Sequence, residues 1–259
     1  MLHLEGIRKT FNPGQPNEKV ALTGIELALE PGEFAVVIGS NGAGKSTLLN
    51  VVAGDVSPDA GRVLIDGRDV TALPAHERGR FIGRVFQDTG ACTAPGLSIE
   101  ENLAVAAGRC KRRRLASPLR AEARERFRGA LAPLGLGLEE RLGTRVELLS
   151  GGQRQAVSLV MALLGAPKLL ILDEHTAALD PRTAEVVMRA TVEAVERTRT
   201  TTLMVTHNMQ QAIAYGDRLV MLHEGRVLFQ AAGAEKRGLT IEALVKRFGI
   251  VDDELLLAS

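Results

Sequence analysis

Apolar and polar residues alternate near the start of the chain, and this pattern predicts β-strands joined by turns. Two such patterns, Leu2 to Ile7 and Val20 to Leu29, flank the turn signal Asn12-Pro13-Gly14. Phe34 to Ile38 is apolar without alternation, which is typical of a strand buried on both faces. Further short strands are predicted over Val63 to Ile65 and Ile82 to Phe86.

Helical patterns dominate the middle of the chain. Ser98 and Glu101 have the spacing of a capping box, which predicts the start of a helix that runs through Ala107. A charged amphipathic pattern predicts another helix over Pro118 to Leu131. We therefore predict that residues 89–155 form a helical insertion in the domain.

Strands and helices alternate after this insertion. An apolar helix pattern at Ala156 to Leu164 precedes a strand pattern at Leu169 to Leu172, and Asp180 with Pro181 is a favoured helix start. The remaining predicted elements are a strand at Leu203 to Thr206, a helix at Met209 to Ala214, and two strands, Leu219 to Leu222 and Val227 to Phe229, around the turn Glu224-Gly225. The alternation predicts an α/β fold with a mainly parallel sheet.

Composition narrows the classes of function. The net charge of +1 and an aromatic content of 3% disfavour a nucleic-acid partner, which needs a basic surface or stacking rings. The longest nearly apolar stretch, Ala156 to Ala166, is shorter than the roughly 20 residues that cross a bilayer. Met1 to Thr10 lacks the apolar core of a signal peptide. We therefore expect a chain that does not itself span a membrane.

A glycine-rich loop separates the strand at Phe34 to Ile38 from a predicted helix at Lys45 to Ala53, which Gly54 ends. The loop matches G-x-x-x-x-G-K-[ST], a phosphate-binding pattern. Its residues are Gly39, Ser40, Asn41, Gly42, Ala43, Gly44, Lys45, Ser46 and Thr47. Its glycines let backbone N–H groups face phosphate oxygens, and the helix N-terminus adds partial positive charge. We expect Lys45 to reach the β- and γ-phosphates of a nucleotide and Ser46 to ligate Mg²⁺.

Two acidic residues follow the apolar strand at Leu169 to Leu172. Asp173 and Glu174 would emerge at the C-terminal edge of the sheet, where open parallel sheets bind ligands. Beside a nucleotide, Asp173 would hold Mg²⁺, directly or through water, and Glu174 would polarise the attacking water. By themselves, the two residues fit solvated acids at a strand end equally well, and the phosphate-binding loop favours the catalytic interpretation.

A second potential anion-binding helix end lies at Leu149-Ser150-Gly151-Gly152-Gln153. Ser150 is a good N-cap, and Gly151 and Gly152 expose backbone N–H groups beside it. One domain cannot easily bring this helix end and the phosphate-binding loop to the same nucleotide. A head-to-tail dimer resolves the conflict, because Ser150 and Gly152 of one copy would contact the γ-phosphate held by Lys45 of the other. A plain capped helix is the alternative.

With these three motifs in this order, the chain resembles the ATP-binding subunit of an ABC transporter over nearly its whole length. The resemblance implies a P-loop NTPase core of mainly parallel sheet, an N-terminal antiparallel β part and a helical insertion. We therefore predict a single domain over residues 1–259, with 1–88 and 156–259 as the RecA-like core and β subdomain, and 89–155 as the helical subdomain. ATP and Mg²⁺ are the implied ligands. A second copy of the chain and an integral-membrane permease are the implied partners.

The resemblance extends to four further positions. Gln87, after the strand ending at Phe86, matches the family's Q-loop, which contacts Mg²⁺ and the attacking water and senses the membrane partner. Asp180 matches the D-loop, which crosses the dimer interface, and His207 matches the switch histidine that contacts the γ-phosphate. Phe11 stands in the place of the aromatic that stacks on adenine, with an ordinary core residue as the alternative.

One departure from the family's usual sequence points to a narrower group within the family. Most members have proline after the catalytic glutamate, whereas this chain has His175. This variant, with Phe11-Asn12-Pro13-Gly14 and Thr206-His207-Asn208-Met209, is similar to the ATP-binding subunits of tryptophan/tyrosine-type uptake systems, which work with a solute-binding protein. A histidine with an ordinary pKa near ~6.5 would titrate beside Glu174. We expect that His175 only shapes the loop.

Two segments have open interpretations. The basic cluster of Arg109 and Lys111 to Arg114 is either a solvated helix end or a contact for anionic headgroups or a permease loop. The tail, Val251 to Ser259, is either a terminal helix or a frayed end.

Together, these features predict an ATPase that powers import of a small solute such as an amino acid. It would lie peripherally at the cytoplasmic face of the cell (inner) membrane, with an extracytoplasmic solute-binding protein in the same system. Import is inferred from the separate ATPase chain, a form that is usual for importers but not exclusive to them. A soluble ABC ATPase acting on ribosomes or DNA is the main alternative, although those proteins usually carry two cassettes or a long coiled-coil insertion. A small-molecule kinase would give no reason for Leu149 to Gln153.

Overall fold

The computed structural model describes residues 1–109, 121–247 and 249, which form two β-sheets flanked by helices. The strands of this part of the chain are β1 (Leu2–Phe11), β2 (Lys19–Leu29), β3 (Phe34–Gly39), β4 (Ala60–Ile65), β5 (Arg68–Asp69), β6 (Ile82–Val85), β7 (Leu169–Asp173), β8 (Thr201–Val205), β9 (Arg218–His223) and β10 (Arg226–Ala232). One sheet is antiparallel, in the order β2-β1-β4-β5. The other has the order β10-β9-β3-β8-β7-β6. All neighbours in it are parallel except β10, which runs antiparallel to β9.

The helices are α1 (Lys45–Ala53), α2 (Ala75–Arg78), α3 (Ile99–Gly108), α4 (Ala121–Leu131), α5 (Gly151–Leu163), α6 (Pro181–Thr198), α7 (Met209–Ala214) and α8 (Gly233–Arg237). Short 3₁₀ turns lie at Thr89–Ala91, Ala132–Leu134 and Val146–Leu148, and residues 241–247 are again helical. The capping box at Ser98 is formed: its side chain accepts from the Glu101 N–H, and the Glu101 carboxylate accepts from the Ser98 N–H. The predicted α/β fold with an antiparallel N-terminal part is confirmed.

Alternate residues of the central strand β3 enter two different hydrophobic clusters. Ala35 and Val37 pack with α1 and the antiparallel sheet, whereas Val36 and Ile38 pack with α5 and α6 on the opposite face. Because successive strand side chains point to opposite faces, a strand covered on both sides has to be apolar throughout. This explains why the segment shows no alternation in the sequence.

A third hydrophobic cluster joins the helices of the predicted insertion. Leu103 of α3 and Phe127 of α4 are buried in it against Val157 of α5. Helix α5 also contributes Leu159 to the cluster beneath the parallel sheet. The predicted boundary between residues 155 and 156 therefore falls inside one continuous helix, and the division into subdomains stays a prediction.

Three expectations concern residues outside the described part of the chain. These are the start of the predicted helix at 118–120, the basic residues Lys111 to Arg114, and the tail from Val251 to Ser259. Within the described part, none of the helices combines the length and apolar character needed to cross a bilayer.

Candidate active site

The glycine-rich loop connects β3 to α1 at the C-terminal edge of the parallel sheet. Gly44 caps α1 in the left-handed region, with φ of 98°, and a Cβ there would lie 2.5 Å from the Ala21 carbonyl oxygen. At Gly39, a Cβ would lie 2.5 Å from the Leu222 carbonyl oxygen. Both positions therefore require glycine, and the loop packs against β2 and β9 with its exposed residues, Ser40 to Gly42, facing solvent.

Lys45 lies inside this loop. Its Nζ donates to the carbonyl oxygens of Gly39, at 2.8 Å, and Ser40, at 3.0 Å. Burial lowers the pKa of the Lys45 ammonium, and the negative charges of Glu174 and Asp173 partly offset this effect. The loop thus holds a partly desolvated cation whose partners are its own carbonyl oxygens, beside two carboxylates.

The two carboxylates lie at the C-terminal end of β7, as the sequence predicts: Asp173 is its last residue and Glu174 follows it. Asp173 pairs with Val205 of the neighbouring strand, so the residues after β7 and β8 lie side by side. Glu174 Oε2 is 3.2 Å from Nδ1 of His207, which follows β8. Glu174 has a left-handed φ of 45°, which costs about 1–2 kcal/mol for a residue with a Cβ. With this backbone, the Glu174 side chain reaches His207.

One open pocket of about 720 Å³ brings several predicted residues together. It is lined by Ser46 in the first turn of α1, by Gln87 after β6, and by Asp173 and Glu174 at the end of β7. Their hydroxyl, amide and carboxylate oxygens are the donor types that Mg²⁺ prefers. Among the residues that the structure describes, no group of three or more His, Cys, Asp or Glu could hold a metal. Few protein ligands are expected where substrate phosphates complete the coordination of Mg²⁺, so the residues fit this ion.

Ser150, which caps the second potential anion-binding helix end, does not line this pocket. Ser150 N-caps α5, with its side chain accepting from the Gln153 N–H and the Gln153 side chain accepting from the Ser150 N–H, both at 3.2 Å. Ser150, Gly152 and Gln153 line a separate pocket of about 280 Å³ beside Thr183. Of this motif, Gly151 alone borders the pocket that contains the carboxylates. Ser150, Gly152 and Gln153 of one copy therefore open into a different pocket from Ser46 and the carboxylates.

Asp180 and Phe11 also lie outside the pocket of the carboxylates. Asp180 caps α6 by accepting from the Thr183 N–H at 3.1 Å, and hydrogen bonding to the Thr183 side chain and then to its backbone lowers the pKa of the Asp180 carboxyl. Phe11 ends β1 and pairs with Lys19, two residues before Ala21, whose carbonyl oxygen borders the phosphate-binding loop. Phe11 is therefore at the end of the antiparallel sheet nearest the loop.

The family described as ABC transporter matches residues 22–177. A tyrosine transport ATP-binding protein of Clostridioides difficile (strain R20291) is 42% identical over 250 residues, covering 96% of this chain and 98% of that protein.

The chain belongs to the ABC transporter family.

Two further comparisons extend this result. A phosphonates import ATP-binding protein, PhnC, of Thiobacillus denitrificans (strain ATCC 25259 / T1) is 33% identical, covering 98% of this chain and 96% of that protein. The solved dimeric, post-hydrolysis structure of the ATP-binding cassette MJ0796 bound to ADP and Pi is 30% identical, with a TM-score of 0.77, covering 92% of this chain and 100% of that one. The chain is accordingly an ABC ATPase that binds and hydrolyses ATP.

His175, which departs from the usual ABC sequence, directly follows Glu174 and is buried. Its Nε2 is 3.2 Å from Thr191 Oγ1 of α6, and that hydroxyl donates its proton to the Val187 carbonyl oxygen at 2.8 Å. The His175 Nε2 must therefore carry the proton of this bond. Burial lowers the pKa of His175 to about 4, so the ring is neutral at pH 7. These contacts fit a residue that shapes the loop.

The buried His175 predicts a pH dependence of stability. In the unfolded chain its pKa is near 6.5, so the unfolded state binds more protons as the pH falls from 6.5 toward 4. The free energy of unfolding should lose about 2 kcal/mol from this group between pH 7.5 and pH 5. In denaturant titrations over this pH range, the free energy of unfolding of His175→Pro should fall by about 2 kcal/mol less than that of the wild type. The exposed His76→Asn variant should keep the full loss, and an equal loss in all three proteins would contradict the burial of a neutral ring.

One functional candidate, Arg84, is absent from the sequence predictions. It lies in β6 and donates to Asp173 Oδ2 at 3.1 Å. The only signal in the sequence is a charged residue inside a predicted strand that is otherwise short and apolar. A pattern of hydrophobic positions does not reveal which carboxylate such a residue meets.

Proposed function

We propose that this ABC ATPase powers uptake of a small solute, with an amino acid as the class of solute, as a homodimer bound to a membrane permease. The single observation that carries the proposal is that Ser150 and Gly152 open into a different pocket from Ser46 and the carboxylates of the same copy. A head-to-tail pair would place Ser150 and Gly152 of one copy against the phosphates held by Lys45 of the other. The MJ0796 cassette, similar in fold and sequence, is dimeric, which supports the pairing of two copies.

The proposed roles follow from the contacts around the pocket. Lys45 would exchange its bonds to the Gly39 and Ser40 carbonyl oxygens for phosphate oxygens. Glu174 would orient and deprotonate the attacking water. His207, already 3.2 Å from Glu174, would contact the γ-phosphate and hold the Glu174 carboxylate in place. Most of the rate enhancement would then come from positioning and from charge stabilisation, as in phosphoryl transfer generally.

Other residues would complete the nucleotide site. Ser46, Gln87 and Asp173 would hold Mg²⁺, which when bound neutralises charge on the β- and γ-phosphates. Phe11 would stack on the adenine, and the backbone N–H groups of residues 39–47 would surround the phosphates. The remaining contacts would come from the second copy through residues 150–153 and Asp180.

The transport assignment rests on the relatives. The C. difficile protein is named for tyrosine transport and the T. denitrificans protein for phosphonate import, so the class of solute is inferred from the more similar of the two. We propose that the subunit lies at the cytoplasmic face of the membrane. The permease would contact its Gln87 segment and helical part, and an extracytoplasmic binding protein would deliver the solute.

Purification of the tagged chain from detergent-solubilised membranes tests this function. We expect a multi-span membrane protein to co-purify in stoichiometric amount. In proteoliposomes, the ATPase activity of that complex should rise when its binding protein is loaded with an aromatic amino acid. Co-purification of ribosomes or nucleic acid without a membrane protein would favour the soluble ABC ATPase instead. Transfer of phosphate to an acceptor other than water would favour a kinase.

A further inference from the structure

A largely buried arginine joins the carboxylate of Asp173, at the end of β7, to the helix that follows the phosphate-binding loop. Arg84 lies in β6 and pairs with Ile171 in β7, two residues before Asp173. Only 11% of its side chain is exposed. A cation at this depth is expected to be paired, because its desolvation is otherwise costly.

The guanidinium of Arg84 is held on three sides. Nη2 donates to Asp173 Oδ2 at 3.1 Å and to Asn50 Oδ1 at 2.8 Å, and Nη1 donates to Asp55 Oδ2 at 2.6 Å. Its central carbon lies 4.3 Å from the centroid of the Phe86 ring. Asn50 belongs to α1 and Asp55 follows it, so the arginine is tied to the same helix that begins at Lys45.

Phe86, whose ring stacks on the guanidinium, is itself held by hydrogen bonds of its backbone. The Phe86 carbonyl oxygen accepts from Gln155 Nε2 of α5 at 3.2 Å, and the Phe86 N–H donates to Cys92 Sγ at 3.3 Å. Phe86 directly precedes Gln87, which lines the pocket of the carboxylates. The stacked ring and the fork of donors therefore restrict Arg84 to one orientation, and with it the carboxylate of Asp173.

We propose that Arg84 is a positioning residue that orients the Asp173 carboxylate for Mg²⁺. The arginine engages one carboxylate oxygen, Oδ2, and this bond leaves Oδ1 available to a metal ion. Its positive charge is offset by Asp55 at 2.6 Å, so its repulsion of Mg²⁺ is small and its orienting effect dominates. The inference rests on the proposed role of Asp173 as a metal ligand.

Binding of a fluorescent ATP analogue, titrated with Mg²⁺, tests this inference apart from hydrolysis. For Arg84→Met, the Mg²⁺ concentration that gives half-maximal tightening of nucleotide binding should rise about tenfold or more. Binding in EDTA should change less than about twofold, since Lys45 and the loop still hold the phosphates. Arg84→Lys should behave like Arg84→Met, because a single ammonium cannot bridge Asp173 and Asp55 as the fork does. Because Arg84→Lys keeps a positive charge at this position, it provides the test if Arg84→Met fails to fold.

Two control variants separate this inference from the proposed metal site. Asp173→Asn should itself raise the Mg²⁺ requirement, and Arg62→Met, in an exposed ion pair with Glu5, should not. An unchanged requirement in Asp173→Asn would overturn the metal role of Asp173. If the Mg²⁺ requirement rose in Asp173→Asn but stayed unchanged in Arg84→Met, only the role of Arg84 would be overturned. The role of Arg84 would also be overturned if Arg84→Met weakened nucleotide binding equally with and without Mg²⁺. A wild-type Mg²⁺ requirement in Arg84→Lys would overturn it as well.

Discussion

Glu174→Gln should lower the rate of ATP hydrolysis by about 10²–10⁴-fold while ATP still binds. The glutamine keeps the size of the side chain and its contact with His207, but it cannot take a proton from water. Because the phosphate-binding loop is untouched, nucleotide affinity should stay within about threefold of the wild type. Single-turnover hydrolysis and nucleotide binding, measured on the same preparation, separate the two effects.

The matched control for this prediction is Glu193→Gln, an exposed position on α6. It should hydrolyse ATP at the wild-type rate. His207→Ala should also lower hydrolysis, since His207 Nδ1 is 3.2 Å from the Glu174 carboxylate. A Glu174→Gln variant that retained the wild-type rate would show that another group acts as the base.

Lys45→Ala should weaken ATP binding by about 10–100-fold, because one charge-assisted hydrogen bond to phosphate contributes about 1.5–3 kcal/mol. Turnover at saturating ATP should fall by a further factor of about 10² or more, since the ammonium also offsets charge that develops during phosphoryl transfer. Isothermal titration and steady-state hydrolysis give the two numbers separately.

The stability of the nucleotide-free protein provides the control for Lys45. Burial lowers the pKa of this lysine, which means that its charge is unfavourable in the folded protein without nucleotide. The Tm without ATP should therefore not fall in Lys45→Ala, whereas the rise in Tm on adding ATP should be lost. Lys168→Ala, at the opposite edge of the sheet in an exposed ion pair with Asp66, should keep that rise. Tight ATP binding by Lys45→Ala would contradict the assignment.

Most elements of the fold were predictable because their signals are local. The helix at 45–53 and its glycine stop, the capping box at Ser98, and the Asp180 cap before Pro181 each depend on neighbouring residues. Strand β8 was predicted from Leu203 but begins at Thr201. Its two threonines are buried with their hydroxyls bonded to nearby backbone, so polar residues continue an apolar strand there.

The candidate site was predictable as a set of motifs but not as a geometry. Local patterns indicated Lys45, Asp173 and Glu174, and the family resemblance indicated His207. The burial of His175 and the hydrogen bonds of the Arg84 guanidinium depend on side chains from distant elements, such as Thr191 and Asp55. Single-residue patterns carry no information about such partners. The left-handed backbone at Glu174 was equally hidden, because glutamate gives no signal for it.

The proposal that two copies complete each other's sites is tested most directly with a mixed pair. One copy carries Lys45→Ala and the other Ser150→Arg, and a different tag on each lets the doubly tagged pair be purified. Head-to-tail pairing puts both defects at one site and leaves the other site intact. The mixed pair should therefore regain about half of the wild-type ATPase activity, whereas each variant paired with itself stays inactive. A mixed pair no more active than either variant would mean that Ser150 acts within its own copy, and would contradict the shared site.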